Sequence, residues 1–192
     1  AAELSLKAIA YINLDMAVTG PDFGAASSPS LRRVVWDAAA EVEQCNRPGM
    51  TVLEDWRQRS GGGVLAAGPG DEPLPSAMPS IGSLGGGSDH VAFLCHLGIP
   101  SVALSSGGSP GTAYHTNHDH LAWYRATVGE DYGPAAMVTG VTNGVVERLA
   151  NGDASVVDPR ATLAEAVDRL AQALDRGRTT FEDASGAGLD QS

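Results

Sequence analysis

Two short segments carry the residues of this chain best suited to chemistry: Ile12-Asn13-Leu14-Asp15 and, much later, Tyr114-His115-Thr116-Asn117-His118-Asp119. Asp15 closes an apolar stretch that reads as a strand. His115 lies in a polar loop that follows a second one. A carboxylate and an imidazole delivered by strand ends are the donors of a zinc site, and zinc held this way polarises a carbonyl and supplies hydroxide for hydrolysis. Taken alone, Asp15 reads as a turn-forming acid after a strand and His115 as a loop histidine. His118 and His120 match no zinc spacing and read as surface residues. Cys45 and Cys95 have no CxxC or metal-type spacing, and Cys95, among Phe93, Leu94 and Leu97, reads as a small buried hydrophobe.

The elements that must position these residues follow from punctuation and periodicity. Lys7 to Asp15 is apolar at nearly every position except Asn13, which predicts a central strand covered on both faces. Gly20-Pro21 breaks the chain. Ser28 as N-cap and Pro29 at the first helical position open a helix whose Leu31, Val34, Val35, Ala38 and Val42 run at helical spacing to Cys45. Thr51 to Arg59 reads as a short helix. Gly61 to Pro79, rich in Gly, Pro and Ala around Asp71 and Glu72, reads as a flexible surface loop. A helix over His90 to Leu97 closes on Gly98, with His90 and His96 on different faces as structural residues. Ile99 to Ser105 is a second buried strand, and Gly107, Gly108, Pro110 and Gly111 then carry the chain towards His115.

This order predicts an α/β fold with a mixed, mostly parallel sheet flanked by helices, followed by a helical segment. Pro134 to Ala150 and Pro159 to Leu174 read as helices joined at Asn151-Gly152-Asp153. The second carries Leu163, Val167, Leu170 and Leu174 on one stripe, which reads as core unless the domain is truncated. From Arg176 the chain is polar and Gly-rich, which predicts fraying.

With 192 residues and 43% hydrophobic content the chain can bury a core of its own. A net charge of −11 argues against nucleic acid or an anionic membrane as partner. No apolar run approaches a membrane span. Gly85-Gly86-Gly87 lacks dinucleotide-binding spacing, and Ser105-Ser106-Gly107-Gly108 lacks a GxSxG elbow. Ala1 opens the chain within a few residues of a strong strand, without the features of a signal peptide, which predicts a fragment.

Four blocks, in this order, carry a resemblance: Ala10-Tyr-Ile-Asn-Leu-Asp15, Ile81-Gly-Ser-Leu-Gly-Gly-Gly-Ser-Asp89, Leu97-Gly-Ile-Pro-Ser-Val102 and Tyr114-His-Thr-Asn-His-Asp119. They resemble the glutamate carboxypeptidase II and transferrin receptor-like group of M28 zinc peptidases, over roughly residues 5 to 150. The resemblance implies a zinc exopeptidase-like fold, with residues 1–130 as the C-terminal half of the catalytic domain and 131–192 as the start of a helical dimerisation domain. It implies Asp15 as a ligand of one zinc and His115 as a ligand of the other. Gly87, Ser88 and Asp89 would line the substrate cleft, and Tyr114 would contact a peptide substrate. The reaction implied is peptide hydrolysis at a dinuclear zinc centre, by a carboxypeptidase or aminopeptidase that is a homodimer when intact, in an extracellular, ectodomain or vacuolar setting.

The departures from the family pattern weigh as much. A further histidine, a bridging aspartate and a Glu-Glu pair that holds the general base would all lie upstream of Asp15, so this chain alone is expected to be inactive. Glutamate-selective members carry arginines where Ala25, Ala103 and Ser105 stand here, and an asparagine where Ser88 stands. Without those cations there is no reason to prefer an acidic residue, which implies a broader exopeptidase. The rival expectation is a non-enzymatic scaffold like the transferrin receptor. Missing part of a sheet predicts an open strand edge and self-association unless another chain covers it.

Overall fold

The computed structural model of the chain describes residues 2–60, 78–152 and 156–189. Helix α1 (Ala2–Lys7) leads into strand β1 (Tyr11–Asn13). Strand β2 (Asp22–Ser27) is followed by a 3-10 turn (Pro29–Leu31) and by α2 (Arg32–Ala39) and α3 (Val52–Arg59). Then come α4 (His90–Leu97), β3 (Ser101–Gly107), α5 (Leu121–Thr127), α6 (Gly133–Asn151) and α7 (Pro159–Leu189). Among the described residues the sheet has three strands in the order β1-β3-β2. Strand β1 runs parallel to β3, with Asn13 opposite Ala103, and β2 runs antiparallel to it, from Asp22 opposite Gly107 to Ser27 opposite Val102.

The fold is mixed α/β as the sequence predicts, but one of its two strand pairings is antiparallel. Strand β2 gave no sequence signal, because Asp-Phe-Gly-Ala-Ala-Ser is short of β-branched residues. It pairs because β3, anchored in the core by Val102 and Leu104, offers it a full ladder. Strand β1 is three residues long and lies at an edge of the described sheet rather than at its centre. Part of the apolar run before it belongs to α1 and to a connection in which Ile9 is 55% exposed.

The core lies between the sheet and helices α2, α3 and α6. It contains Phe23, Leu31, Val35, Trp36, Val52, Trp56, Val102, Leu104, Met137, Val138, Val141 and Val145. Phe23 and Trp56 meet edge to face at 5.2 Å. Helix α2 stops at Ala39, not at Cys45. The Val42 and Cys45 spacing is helical by coincidence, because both pack on the core from a loop that Val52 N–H closes by donating to Val42 O at 2.8 Å.

Helix α3 starts where the sequence places it. Thr51 Oγ1 accepts from Glu54 N–H at 3.2 Å while Glu54 accepts from Thr51 N–H at 2.7 Å, a reciprocal cap. Thr51→Ala is expected to cost about 1 kcal/mol in urea unfolding. The hydrogen bonds from Thr51 backbone and side chain hold the Glu54 carboxyl below its usual range. A depressed carboxyl contributes stability above its unfolded value and loses it as pH falls through the folded value. Alanine keeps the backbone bond, and the Glu54 N–H bond to the Thr51 hydroxyl does not titrate, so acidification is expected to narrow the gap between the wild type and Thr51→Ala only by the hydroxyl's bond to the carboxylate, without closing it.

Helix α4 ends on Gly98 in the left-handed region, φ 68°, with Gly98 N–H donating to Leu94 O. Cys95 on this helix is exposed, not buried, since its flank faces away from β1. Helix α7 does not fray at Arg176 but runs to Leu189. Its Ala, Leu and Arg content favours helix, Thr179 and Thr180 donate to carbonyls one turn back, and Gly177 meets no neighbour that its missing side chain would have to fill. The stripe of Leu163, Val167, Leu170 and Leu174 is 57–68% exposed and not core. The loop around Asp71 and Glu72 and the turn residue Asp153 lie outside the described residues.

Candidate functional site

Parallel strands deliver their C-terminal ends to one edge of a sheet, where ligands of α/β proteins gather. Here those ends are Asn13 of β1 and Gly107 of β3, so the loop beginning at Leu14-Asp15 and the loop leading to Tyr114-His115 leave the same edge. The two loops are tied together at their roots. Thr19 N–H donates to Ser106 O at 2.7 Å and Ser109 N–H to Thr19 O at 3.3 Å, and the Ser106 hydroxyl donates to Gly20 O. Gly20 is required at this crossing, since a Cβ there would overlap Gly107 O and lie 2.5 Å from Ser109 N. Gly20→Ala is expected to cost about 1–3 kcal/mol and to speed amide exchange at Thr19 and Ser109, the bonds that join the loops.

Asp15 is exposed and accepts from Ser88 Oγ at 2.8 Å on Oδ2. Ser88 Oγ in turn accepts from Asn13 Nδ2 at 3.0 Å. The structure thus brings together Asp15 and Ser88, which are 73 positions apart. Gly85, Gly86 and Gly87 beside Ser88 have open space where side chains would be. Ser88 and Asp89 lead into α4, held in place by His90, which is buried and bonded through Nε2 to Gly85 O at 2.7 Å. His90 is structural, as its sequence context suggests.

Tyr114 and His115 are both exposed and stack on each other at 3.7 Å. His115 has φ 58° and Met16, immediately after Asp15, φ 48°. Left-handed backbone is unfavourable for side chains of this size and concentrates where a turn must present a group. His118 is exposed and His120 caps α5 by accepting from Trp123 N–H at 3.2 Å. Burial pushes the Cys45 thiol up, and Asp131, Asp55 and Asp22 act in the same direction, which leaves it protonated and unreactive.

The donors present do not by themselves make a metal centre: among the described residues no group of three or more His, Cys, Asp and Glu side chains could hold an ion. A separate cleft of about 400 Å³ lies between the 3-10 turn, the end of α4 and α7, lined among others by Ser28, Ser83, Leu94, Pro100, Glu165 and Arg169. It includes none of Asp15, Ser88, Tyr114 or His115. Ala25, Ala103 and Ser105 occupy neighbouring rungs of the β2–β3 ladder.

Two features escaped the sequence reading. The Thr19–Ser106 clamp is mostly backbone bonding and leaves no residue signature. Asn13 did leave one, as the lone polar residue of an apolar run, and it is 5% exposed in the structure.

No family model matches the chain. It is 36% identical over 121 residues to a protein named probable glutamate carboxypeptidase in Arabidopsis thaliana, covering 62% of this chain and 15% of that one. It is 24% identical over 157 residues to an aminopeptidase, NAALADL1, of Mus musculus, covering 78% of this chain and 20% of the relative. Similarity of 27% over 149 residues extends to vacuolar protein sorting-associated protein 70 of Saccharomyces cerevisiae, covering 74% of this chain and 16% of that protein. The chain therefore spans only 15–20% of the length of these relatives. None of the described helices is long and apolar enough to cross a membrane. The order of the sequence blocks and the relatives agree, and both relate the chain to the glutamate carboxypeptidase II-like group.

Proposed function

We propose that this chain is part of a zinc-dependent metallo-exopeptidase with a zinc exopeptidase fold, in which Asp15 contributes to one zinc and His115 to the other. The observation that carries this reading is that the β1 and β3 loops leave one sheet edge and are clamped together at Thr19, Gly20 and Ser106. Histidine and aspartate on neighbouring loops suit zinc, which takes nitrogen and oxygen donors and about three protein ligands at a catalytic site. The missing ligands and the general base are to come from sequence outside this chain. When bound, zinc would supply a Lewis acid and a nucleophilic hydroxide. In this reading Gly87, Ser88, Asp89 and Tyr114 would contact the peptide, and Ala25, Ala103 and Ser105 bring no cation that would select an acidic residue.

Elemental analysis after dialysis against a weak chelator tests the reading, on this chain and on a polypeptide extended upstream by the missing part of the catalytic domain. Two zincs per chain and peptide hydrolysis only in the longer protein are the expected result. No zinc in either would replace the enzyme with a scaffold of the transferrin receptor kind.

The exposed stripe on α7 supports a homodimer in the intact protein. Paired Leu170→Lys and Leu174→Lys changes are expected to lower the mass seen by light scattering, and an unchanged mass would remove α7 from the contact.

A further inference from the structure

Asp15 is exposed, and a carboxylate on an exposed loop ordinarily samples several rotamers. Here it is reached by a chain of side chains that begins in the buried part of the fold. Tyr11 and Asn13 lie on one face of β1. Tyr11 stacks on Phe93 of α4 at 3.9 Å with 10° between the planes, which fixes α4, and the Ser88 loop entering it, against β1. Tyr11 Oη donates to Asn13 Oδ1 at 3.4 Å. The buried Asn13 amide has one outlet towards the site, Nδ2 donating to Ser88 Oγ at 3.0 Å.

The direction of the chain follows from the chemistry of the groups. An amide NH2 has protons and no available lone pair, so Ser88 Oγ can only accept from it. The single hydroxyl proton of Ser88 is then left for Asp15 Oδ2, at 2.8 Å. A hydrogen bond to an ionised carboxylate is about twice as strong as a neutral one. Oδ2 is thus the engaged oxygen of this exposed carboxylate, which leaves Oδ1 as the one able to take a further partner.

We propose that Asn13 and Ser88 are positioning residues that hold Asp15 through Oδ2 and present Oδ1 as the free donor to a cation. The inference deepens the reading of Asp15 as a zinc ligand and rests on it for its purpose, although the relay itself is a property of the metal-free chain. Outer-shell partners of metal-ligating carboxylates act in this way, and losing one weakens metal binding by about tenfold to a hundredfold.

The test measures the Asp15 χ1 populations in the zinc-free protein by NMR three-bond couplings. One rotamer is expected to dominate in the wild type. Its ratio to the others is expected to fall by several-fold to about tenfold in Ser88→Ala, the loss of one hydrogen bond to a charged group, and also in Asn13→Leu, which touches Asp15 only through Ser88. Ser88→Thr keeps a hydroxyl and is expected to restore the wild-type populations, which a merely structural role for the loop would not require. Unchanged Asp15 populations in a Ser88→Ala protein whose urea midpoint matches the wild type would overturn the proposal, and so would unchanged populations in Asn13→Leu. Zinc content separates the two readings: if the longer protein with Asp15→Ala keeps both zincs, Asp15 is no ligand, whatever the couplings show.

Discussion

Asp55→Ala is expected to lower the unfolding free energy by about 1–3 kcal/mol, the cost of leaving the donors around a buried carboxylate without their acceptor. The Asp55 side chain is 2% exposed and meets Arg47 at 2.7 Å and Arg59 at 2.7 Å. Gln44 Nε2 donates to it at 2.8 Å. Both of its oxygens are engaged, so the carboxylate is desolvated and matched. The same partners reach onward: Arg59 Nη2 donates to Phe23 O at 2.8 Å and Gln44 Nε2 to Pro21 O at 3.0 Å. Removing Asp55 therefore takes the shared acceptor from Arg47, Arg59 and Gln44 where α3 joins the start of β2, while Arg59 and Gln44 keep their carbonyl partners. Against a total stability of about 5–15 kcal/mol for a domain, the loss should be plain as a shift of the urea midpoint at constant slope. A change below about 1 kcal/mol would mean that the knot behaves like a surface ion pair. Because β2 lies beside β3, a partial loosening here should reach the Thr19–Ser106 clamp before it reaches α6.

What could be read in the sequence and what could not divide along physical lines. Thr51 with Glu54 three residues later, and Gly98 after an apolar turn, are local devices whose chemistry is complete within one turn, and both helices stand where those residues put them. The β3 strand was legible for a similar reason, the short apolar stretch around Val102, Ala103 and Leu104 bounded by Pro100 and by Gly107-Gly108. Strand β2 was not, because Gly24, Ala25 and Ala26 have no preference of their own and gain their conformation from β3. The end of α2 was misjudged because apolar spacing cannot tell a helix from a loop that packs on the same core. Asp15 and His115 were singled out by residue type and by family blocks, whereas the backbone bonds at Thr19 and Ser106 that tie their loops together belong to tertiary structure alone. The antiparallel half of the sheet escaped with β2.

Under the proposed zinc-peptidase function, Asp15→Ala and His115→Gly in the longer protein are each expected to leave at most one zinc per chain and to cut peptide hydrolysis by at least about a hundredfold, since losing even an outer-shell group costs about 10–100-fold. Stability should separate the two variants from one that simply unfolds. Both side chains are exposed, so neither supports the core. His115 also sits at φ 58°, a conformation that costs a residue with a Cβ roughly 1 kcal/mol and that glycine adopts freely. His115→Gly should therefore unfold at a urea concentration equal to or above that of the wild type while losing zinc and activity. That combination, a variant no less stable and yet inactive, is the signature of a side chain kept for chemistry in a backbone that disfavours it. A His115→Gly protein that keeps both zincs and the full rate would remove His115 from the site, and the same result for Asp15→Ala would remove Asp15.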